Sequence, residues 1–322
     1  MALTQMQVFN DYIMPATIET LAVMVDKFNQ ASNGAIRLTT EGFDGDFYQE
    51  SFFQAIHSAQ RRVDRYAANN TQAATNLAEL KKSGVKVAGG FGPILFEPAQ
   101  LTWLQRPTAQ GIEVASRNFA EALLKDQLFT AIAALVAAIE NQTDAKNDVS
   151  ATLGLSYVAL NSAHAKFGDH SGLIICNVMT GEVYHKLIGV NLANATNLFQ
   201  AGNVTIVDIL GKPSVVVDAP SLYQSGTPNK QKVLGLVSGA ATVYDGKDII
   251  TNVQTSNGKE RIETTMQVDY TFGLALKGYT WDESNGGKSP TDSELASGAN
   301  WDKVATSIKH TAGVIAVGDA SK

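Results

Sequence analysis

The sequence predicts an α+β fold from three observations. One uninterrupted helical pattern runs from Thr108 to about Gln142, and a two-residue alternation runs from Arg261 to Ala275. The segments around them lack the regular strand–helix–strand order of a doubly wound sheet. At 322 residues the chain suits one large domain or two intertwined ones, at roughly 100–200 residues each. It carries no internal repeat and no coiled-coil heptads.

Taken in order, Thr17 to Ser32 predicts an amphipathic helix, with Ile18, Leu21, Val25 and Phe28 at spacings of three and four and Gly34 closing it. Ile36 to Thr40 has strand composition. The spacing of Phe53, Ile56, Val63 and Tyr66 predicts a second helix over Glu50 to Ala68. Val85 to Val87 and Ile94 to Phe96 are short β-segments around Gly89-Gly90-Phe91-Gly92-Pro93, in a projecting arm and loop. Pro107 then opens the long helix, since proline's fixed φ suits the first helical turn. Some 33 residues at about 1.5 Å each reach on the order of 50 Å, enough to cross the molecule.

The remainder mixes both types. Ser156 to Lys166 predicts a helix stopped by Gly168-Asp169, Leu173 to Val178 a strand, and the run through Val183, Tyr184 and Leu187 a short helix. Strands are expected at Val204 to Ile209 and Ser214 to Val217, either side of Gly211-Lys212-Pro213. Leu234 to Leu236 and Ala240 to Tyr244 read as a short strand pair. In the long alternation Ile262, Thr264, Met266, Val268, Tyr270, Phe272 and Leu274 share one face. Val314 to Val317 is the last strand.

Composition narrows the function. With 25 basic and 31 acidic side chains the net charge is −6, which argues against a nucleic-acid reader. Charged residues make up 17%, against roughly 25% in an average soluble domain, while 44% are apolar. A low-charge surface of this kind predicts cover by other copies of the chain. The lone Cys176 excludes a disulfide scaffold and reads as a buried thiol in a reducing compartment. Met1 to Gln5 lacks the basic start of a signal peptide. Gln127 to Ile139 is apolar but short of the roughly 20 residues a membrane span needs, and asparagines interrupt Leu187 to Val207, so no membrane partner is expected.

Candidate chemistry is sparse. Asp169, His170 and Ser171 set an acid, a base and a hydroxyl side by side, the ingredients of a hydrolase, but sequence neighbours point apart and Ser171 misses the Gly-x-Ser-x-Gly position. His164, His170 and His185 match no zinc spacing. Asp44, Asp46 and Glu50 lack the calcium-loop pattern. Gly89, Gly90 and Gly92 are followed by no P-loop lysine, and Arg61, Arg62 and Arg65 read as a solvated face or as partners for a neighbour's acids. Catalytic, metal and cofactor sites are therefore expected to be none.

Several stretches, in their order along the chain, resemble the major capsid protein of tailed double-stranded DNA bacteriophages, the Hong Kong 97-type fold. They are Leu160 to Asp169 ending in a Gly-Asp corner, Ile174 to Leu187 as strand and helix, Ile209 to Asp218, Gly239-Ala240, Leu276 to Trp281, Pro290-Thr291, Leu295 and Asn300-Trp301. Thr180 and Gly181 stand where the family more often has His and Ser. The resemblance covers residues 100–310, and the first hundred by architecture only.

It implies an N-terminal arm at 1–35, an extended loop at 36–100 lying over a neighbouring subunit, and a peripheral domain with the spine helix at 101–151. An axial domain at 152–240 and return strands with the C-terminal segment at 241–322 follow. It further implies a shell subunit that forms hexamers and pentamers of an icosahedral head around double-stranded DNA. The partners would be copies of itself, a portal protein at one vertex, a separate scaffolding protein, optionally a decoration protein, and packaged DNA held weakly by an acidic lumen. Localisation would be the virion, after assembly in the bacterial cytoplasm. Lys81, Lys82 and Lys86 lie where one branch of the family cross-links its subunits, and no cross-link is expected here. An encapsulin-type nanocompartment shell is the alternative, and a hydrolase using Asp169, His170 and Ser171 the remote one.

Overall fold

The computed structural model describes residues 13–42, 45–53, 60–66, 68, 71, 74, 79–96, 109–194, 212–258, 260 and 263–322. Its first half comprises α1 (Met14–Ala31), β1 (Ile36–Gly42), β2 (Phe47–Phe53), β3 (Glu79–Phe96), α2 (Ala109–Glu140), β4 (Lys146–Asp148), α3 (Tyr157–Ala165), β5 (Ile174–Met179) and α4 (Gly181–Asn194). Then come β6 (Ser214–Val216), β7 (Tyr223–Gln224), β8 (Lys230–Val237), β9 (Ala241–Ser256), β10 (Glu263–Leu276), β11 (Tyr279–Trp281), α5 (Asp292–Leu295), β12 (Trp301–Lys303) and β13 (Gly313–Asp319).

The long helix forms as its pattern predicts, over the 32 residues of α2. Its second half is apolar almost all round, with Ala131, Ile132, Ala134, Leu135, Val136, Ala138 and Ile139 buried. By length and composition alone Ser116–Glu140 would suffice to cross a bilayer. A helix apolar on every side must be enclosed, and here protein encloses it: the sheets, α1 and the C-terminal loops pack around it in one core cluster. The small side chains of Ala134, Ala137 and Ala138 let neighbours approach closely. A Cβ on Gly298 would sit 2.7 Å from the Ala137 carbonyl oxygen.

α1 lies on α2 with Val25 buried and Leu21 and Phe28 packed against the core. Gly34, at φ +71°, ends this segment, and the Asn29 side chain donates to Leu38 O at 2.8 Å and accepts from Leu38 N at 3.0 Å, tying helix to strand.

Two sheets flank the helix. The five-stranded one has the order β1-β9-β10-β3-β2, and its central β10 pairs with both β9 and β3. The predicted alternation is seen on β10, where Met266, Val268, Tyr270, Phe272 and Leu274 are buried while Gln267 and Asp269 are exposed. Each flank of β10 carries a bulge, and each bulge needs a glycine. Gly92 has φ +108° beside the shift at Met266/Val268, and a Cβ on Gly246 would lie 2.3 Å from the Thr271 carbonyl oxygen beside the shift at Tyr270/Phe272. The second sheet has the order β4-β13-β8-β5-β6 with β7 also on β8, and α3 and α4 complete it.

Three expectations are corrected. The helix expected over Glu50 to Ala68 is not formed among its described residues: Phe47–Phe53 is strand β2, and residues 60–66 are not helical. The apolar spacing had a helical period, but the ladder from Phe47↔Val85 to Phe53↔Glu79 takes the backbone hydrogen bonds of its start. The short segments at 85–87 and 94–96 are one 18-residue strand, β3. Leu234 to Leu236 and Ala240 to Tyr244 do not pair with each other but belong to different sheets. Gly239 turns at φ +65°, and the N–H groups of Gly239 and Ala240 donate to the carbonyls of Gly34 and Ala35, at 2.8 Å each, steering the chain across. The strand expected at Val204 to Ile209 lies outside the described residues.

Candidate functional site

The Gly168–Leu173 corner is a 3-10 turn entered through Gly168 at φ +55°. It does not assemble a triad. The Asp169 carboxylate pairs with Lys309, whose hydrogen bond holds it below the usual aspartate range. Nδ1 of His170 is buried without a hydrogen-bond partner among the described residues, and its ring meets that of His310 edge-on at 5.6 Å. The carbonyl oxygen of Ser171 accepts from Lys212 Nζ at 2.8 Å. Among the described residues no hydrogen bond joins the three side chains.

The other chemical candidates disperse likewise. His164 is buried, its Nε2 3.1 Å from Asn177 Oδ1, and burial, with Lys212 adding to it, pushes the ring down to about 4, so it is neutral at pH 7. His185 is exposed on α4. Asp46 pairs with Lys288 at 3.2 Å, Glu50 accepts from Tyr48 Oη at 2.5 Å, and Asp44 lies outside the described residues. Among the described residues no three His, Cys, Asp or Glu side chains are grouped to hold a metal ion. Gly89 and Gly90 lie within β3, where a Cβ on Gly89 would sit 2.8 Å from the Tyr270 ring, so close approach explains this glycine without a phosphate.

Cys176 is wholly buried on β5, and burial pushes its thiol up to about 11. The native chain is therefore expected to leave a thiol reagent unreacted at pH 8 and to take up one equivalent on unfolding in guanidinium, read by absorbance. Fast stoichiometric labelling without denaturant would show the β5 layer to be open.

What the structure does build is a set of clasps at the joints between elements. At the root of the β2–β3 ribbon, Glu283 Oε1 accepts from Ser83 Oγ at 2.7 Å, Lys81 Nζ at 3.0 Å and Gln49 Nε2 at 3.2 Å. Ser83 N–H donates to Thr280 Oγ1 at 2.8 Å. Lys82 pairs with Glu50 at 3.7 Å and Lys86 with Asp248 at 2.8 Å, so all three ribbon lysines are engaged within their own chain. A second clasp joins the end of α2 to the six-stranded sheet. Glu140 binds Lys232 at 2.6 Å and Lys146 at 2.9 Å, and Asp148 continues the chain to Lys146 at 3.4 Å and Lys230 at 3.2 Å. Burial acts to raise Glu140, but hydrogen bonds from both lysines prevail and hold it below its ordinary value. Sequence reasoning missed Glu283 and Glu140, because their partners lie up to 234 and 92 residues away.

Beyond these joints the surface carries apolar groups in the open: Ile18, Val23, Val63, Tyr66, Leu95, Leu153, Val158 and Ile250 among them. Isolated examples are ordinary, but so many on a low-charge surface suit a chain that meets others.

A family model described as "Major capsid protein 13-like" (Gp13-like) matches residues 5–315. No curated protein sequence matches the chain. The fold is similar to that in the capsid asymmetric unit of cyanophage Pam1, at 12% identity and a TM-score of 0.51 over 88% of this chain and 88% of that one. It is similar also to a structure from Microbacterium phage Oxtober96, at 13% identity and 0.51 over 90% of each, and to one from Mycobacterium phage Cain, at 10% and 0.50 over 90% and 89%.

Proposed function

This chain belongs to the Gp13-like major capsid protein family of tailed phages, with the Hong Kong 97-type fold, and we propose that it closes an icosahedral head as hexamers and pentamers around double-stranded DNA. The carrying observation is the family match over residues 5–315, nearly the whole chain, which leaves the structural role of a virion shell subunit as its function. The architecture supports the reading. One long helix braced by two sheets is a rigid strut, and the exposed apolar groups are surface for neighbours.

Within that reading the domains divide as an N-terminal arm at 1–35, an extended loop at 36–100, a peripheral domain at 101–151 and 241–322, and an axial domain at 152–240. The axial sheet also draws in β4 and β13. A separate scaffolding protein, a portal and weakly held DNA complete the partner list. The ion pairs of Lys81, Lys82 and Lys86 favour a shell without lysine cross-links. The encapsulin alternative is not favoured, since the matching family is a phage major capsid family.

Negative-stain microscopy of the chain, expressed alone and with its neighbouring reading frames, tests the proposal. Closed icosahedral shells or curved sheets of hexamers are expected. A soluble monomer under every condition overturns it.

A further inference from the structure

We propose that Asn257 is a site of spontaneous covalent modification: the backbone nitrogen of Gly258 displaces its side-chain amide, and the tip of the β9–β10 hairpin becomes an aspartate or an isoaspartate. The inference concerns the single chain and does not rest on the shell-subunit reading.

Asparagine followed by glycine is the dipeptide most prone to this reaction, because glycine carries no side chain to shield its nitrogen. The chain has three such steps, Asn33-Gly34, Asn257-Gly258 and Asn285-Gly286. All three asparagines are exposed, so access to water does not separate them. The glycine nitrogen does: it must shed its proton and swing onto Cγ of the asparagine.

At Asn33 that nitrogen is tied down, since Gly34 N–H donates to Asn29 O at 2.9 Å in the turn that ends α1. At Asn285 both reacting groups are held. Gly286 N–H donates to Asp282 O at 2.9 Å, and Asn285 Nδ2 donates to the Asp282 carboxylate. Gly286 is also buried against Trp281, where a Cβ would fall 2.1 Å from the indole, so its backbone has no room to swing.

Asn257-Gly258 lies beyond the last rung of the hairpin, Ser256↔Glu263. Ser256, Asn257, Gly258 and Glu260 are all exposed. Gly258 stands at φ +95°, and apart from its chain neighbours no described atom comes within 4 Å of where its Cβ would be. Among the described residues no hydrogen bond holds the Gly258 N–H or the Asn257 amide.

In the reaction hydroxide takes the Gly258 proton, and the nitrogen bonds to Asn257 Cγ. The Cγ–Nδ2 bond breaks, and Nδ2 leaves as ammonia with a proton from water. Water then opens the cyclic imide at either carbonyl, so the sum is hydrolysis of one amide. The product adds one negative charge to a chain of net charge −6, and isoaspartate also lengthens the backbone of the turn by one carbon.

The experiment holds the full-length protein at physiological temperature and mildly alkaline pH, native and in guanidinium. Mass spectrometry of peptides spanning the three steps follows amide-to-acid conversion, and ammonia release is measured alongside. In the native chain Asn257 is expected to convert about tenfold faster than Asn33 and Asn285, the factor that breaking one or two hydrogen bonds imposes on a rate. In guanidinium the three rates should converge. Asn257→Gln, whose longer side chain closes a six-membered ring far more slowly, should remove most of the native ammonia release with the circular dichroism spectrum unchanged. A native rate at Asn257 no greater than at the other two overturns the proposal. The same spread of rates in guanidinium overturns it too, because the selection would then lie in the sequence and not in the fold.

Discussion

Trp301→Ala is expected to destabilise the chain by about 3–5 kcal/mol, the range for deleting a buried aromatic side chain. The indole is fully buried, its ring meets that of Trp281 edge-on at 4.9 Å and 68°, and its Nε1–H donates to Leu295 O at 3.0 Å. β11 and β12 hold the two tryptophans opposite each other, as Trp281↔Trp301. Collapse into the vacated space is restricted, because Gly298 is wedged against the Ala137 carbonyl and Asn141 Nδ2 donates to Gly298 O at 3.0 Å. Trp301→Phe keeps most of the volume but strands the Leu295 carbonyl, so about 1–2 kcal/mol is expected for it. Urea unfolding followed by circular dichroism measures both. A Trp301→Ala loss under about 1 kcal/mol would mean that this layer is not part of the cooperative core.

Glu140→Gln should cost about 3 kcal/mol, because Lys232, with only 8% of its side chain exposed, loses the anion that offsets its burial. The carboxylate ends α2, where the helix dipole disfavours an anion, so Lys232 and Lys146 account for its stability there. Pairing Glu140→Gln with Lys232→Met removes both charges and is expected to return stability to within about 1 kcal/mol of wild type. A double variant that costs the sum of the two singles would show no coupling across the joint.

Acid gives the same test without mutation. Glu140 lies below its ordinary value, and Asp148 is down at about 2: burial opposes this, but Ser150 and Lys230 hydrogen bonds outweigh it. Depressed carboxylates add stability above their unfolded values and lose it as pH falls through the folded ones. The joint should thus hold down to about pH 4 and weaken between there and pH 2. Glu140→Gln should flatten part of that slope. An identical acid profile in the variant would place the loss elsewhere.

Much of this fold is legible in the sequence. Pro107 and the apolar recurrence after it located α2, and the alternation of Met266, Val268, Tyr270 and Phe272 located β10 and its inward face. The helix expected from Ser156 forms, and Ser156 proves to be its N-cap, accepting from Ala159 N–H at 3.3 Å. The order of short stretches from Leu160 to Trp301 carried the family. Where the reading failed, a distant partner had outvoted a local signal: Phe53 has helical spacing to Ile56 but pairs with Glu79.

The sequence by itself determined which segments are periodic, which face of β10 is buried and where glycine must end an element, because these depend on residues within a turn or two of one another; on α1 it put Ile18 on the apolar face, where the structure leaves it 53% exposed. Only the tertiary structure decided that Val237 and Ala241 part into different sheets, that Ser83, Lys81 and Gln49 converge on Glu283, and that Glu140 meets Lys232. A strand edge or a charged side chain accepts any partner of suitable geometry. Which one it meets is set by the packing of the whole chain around α2.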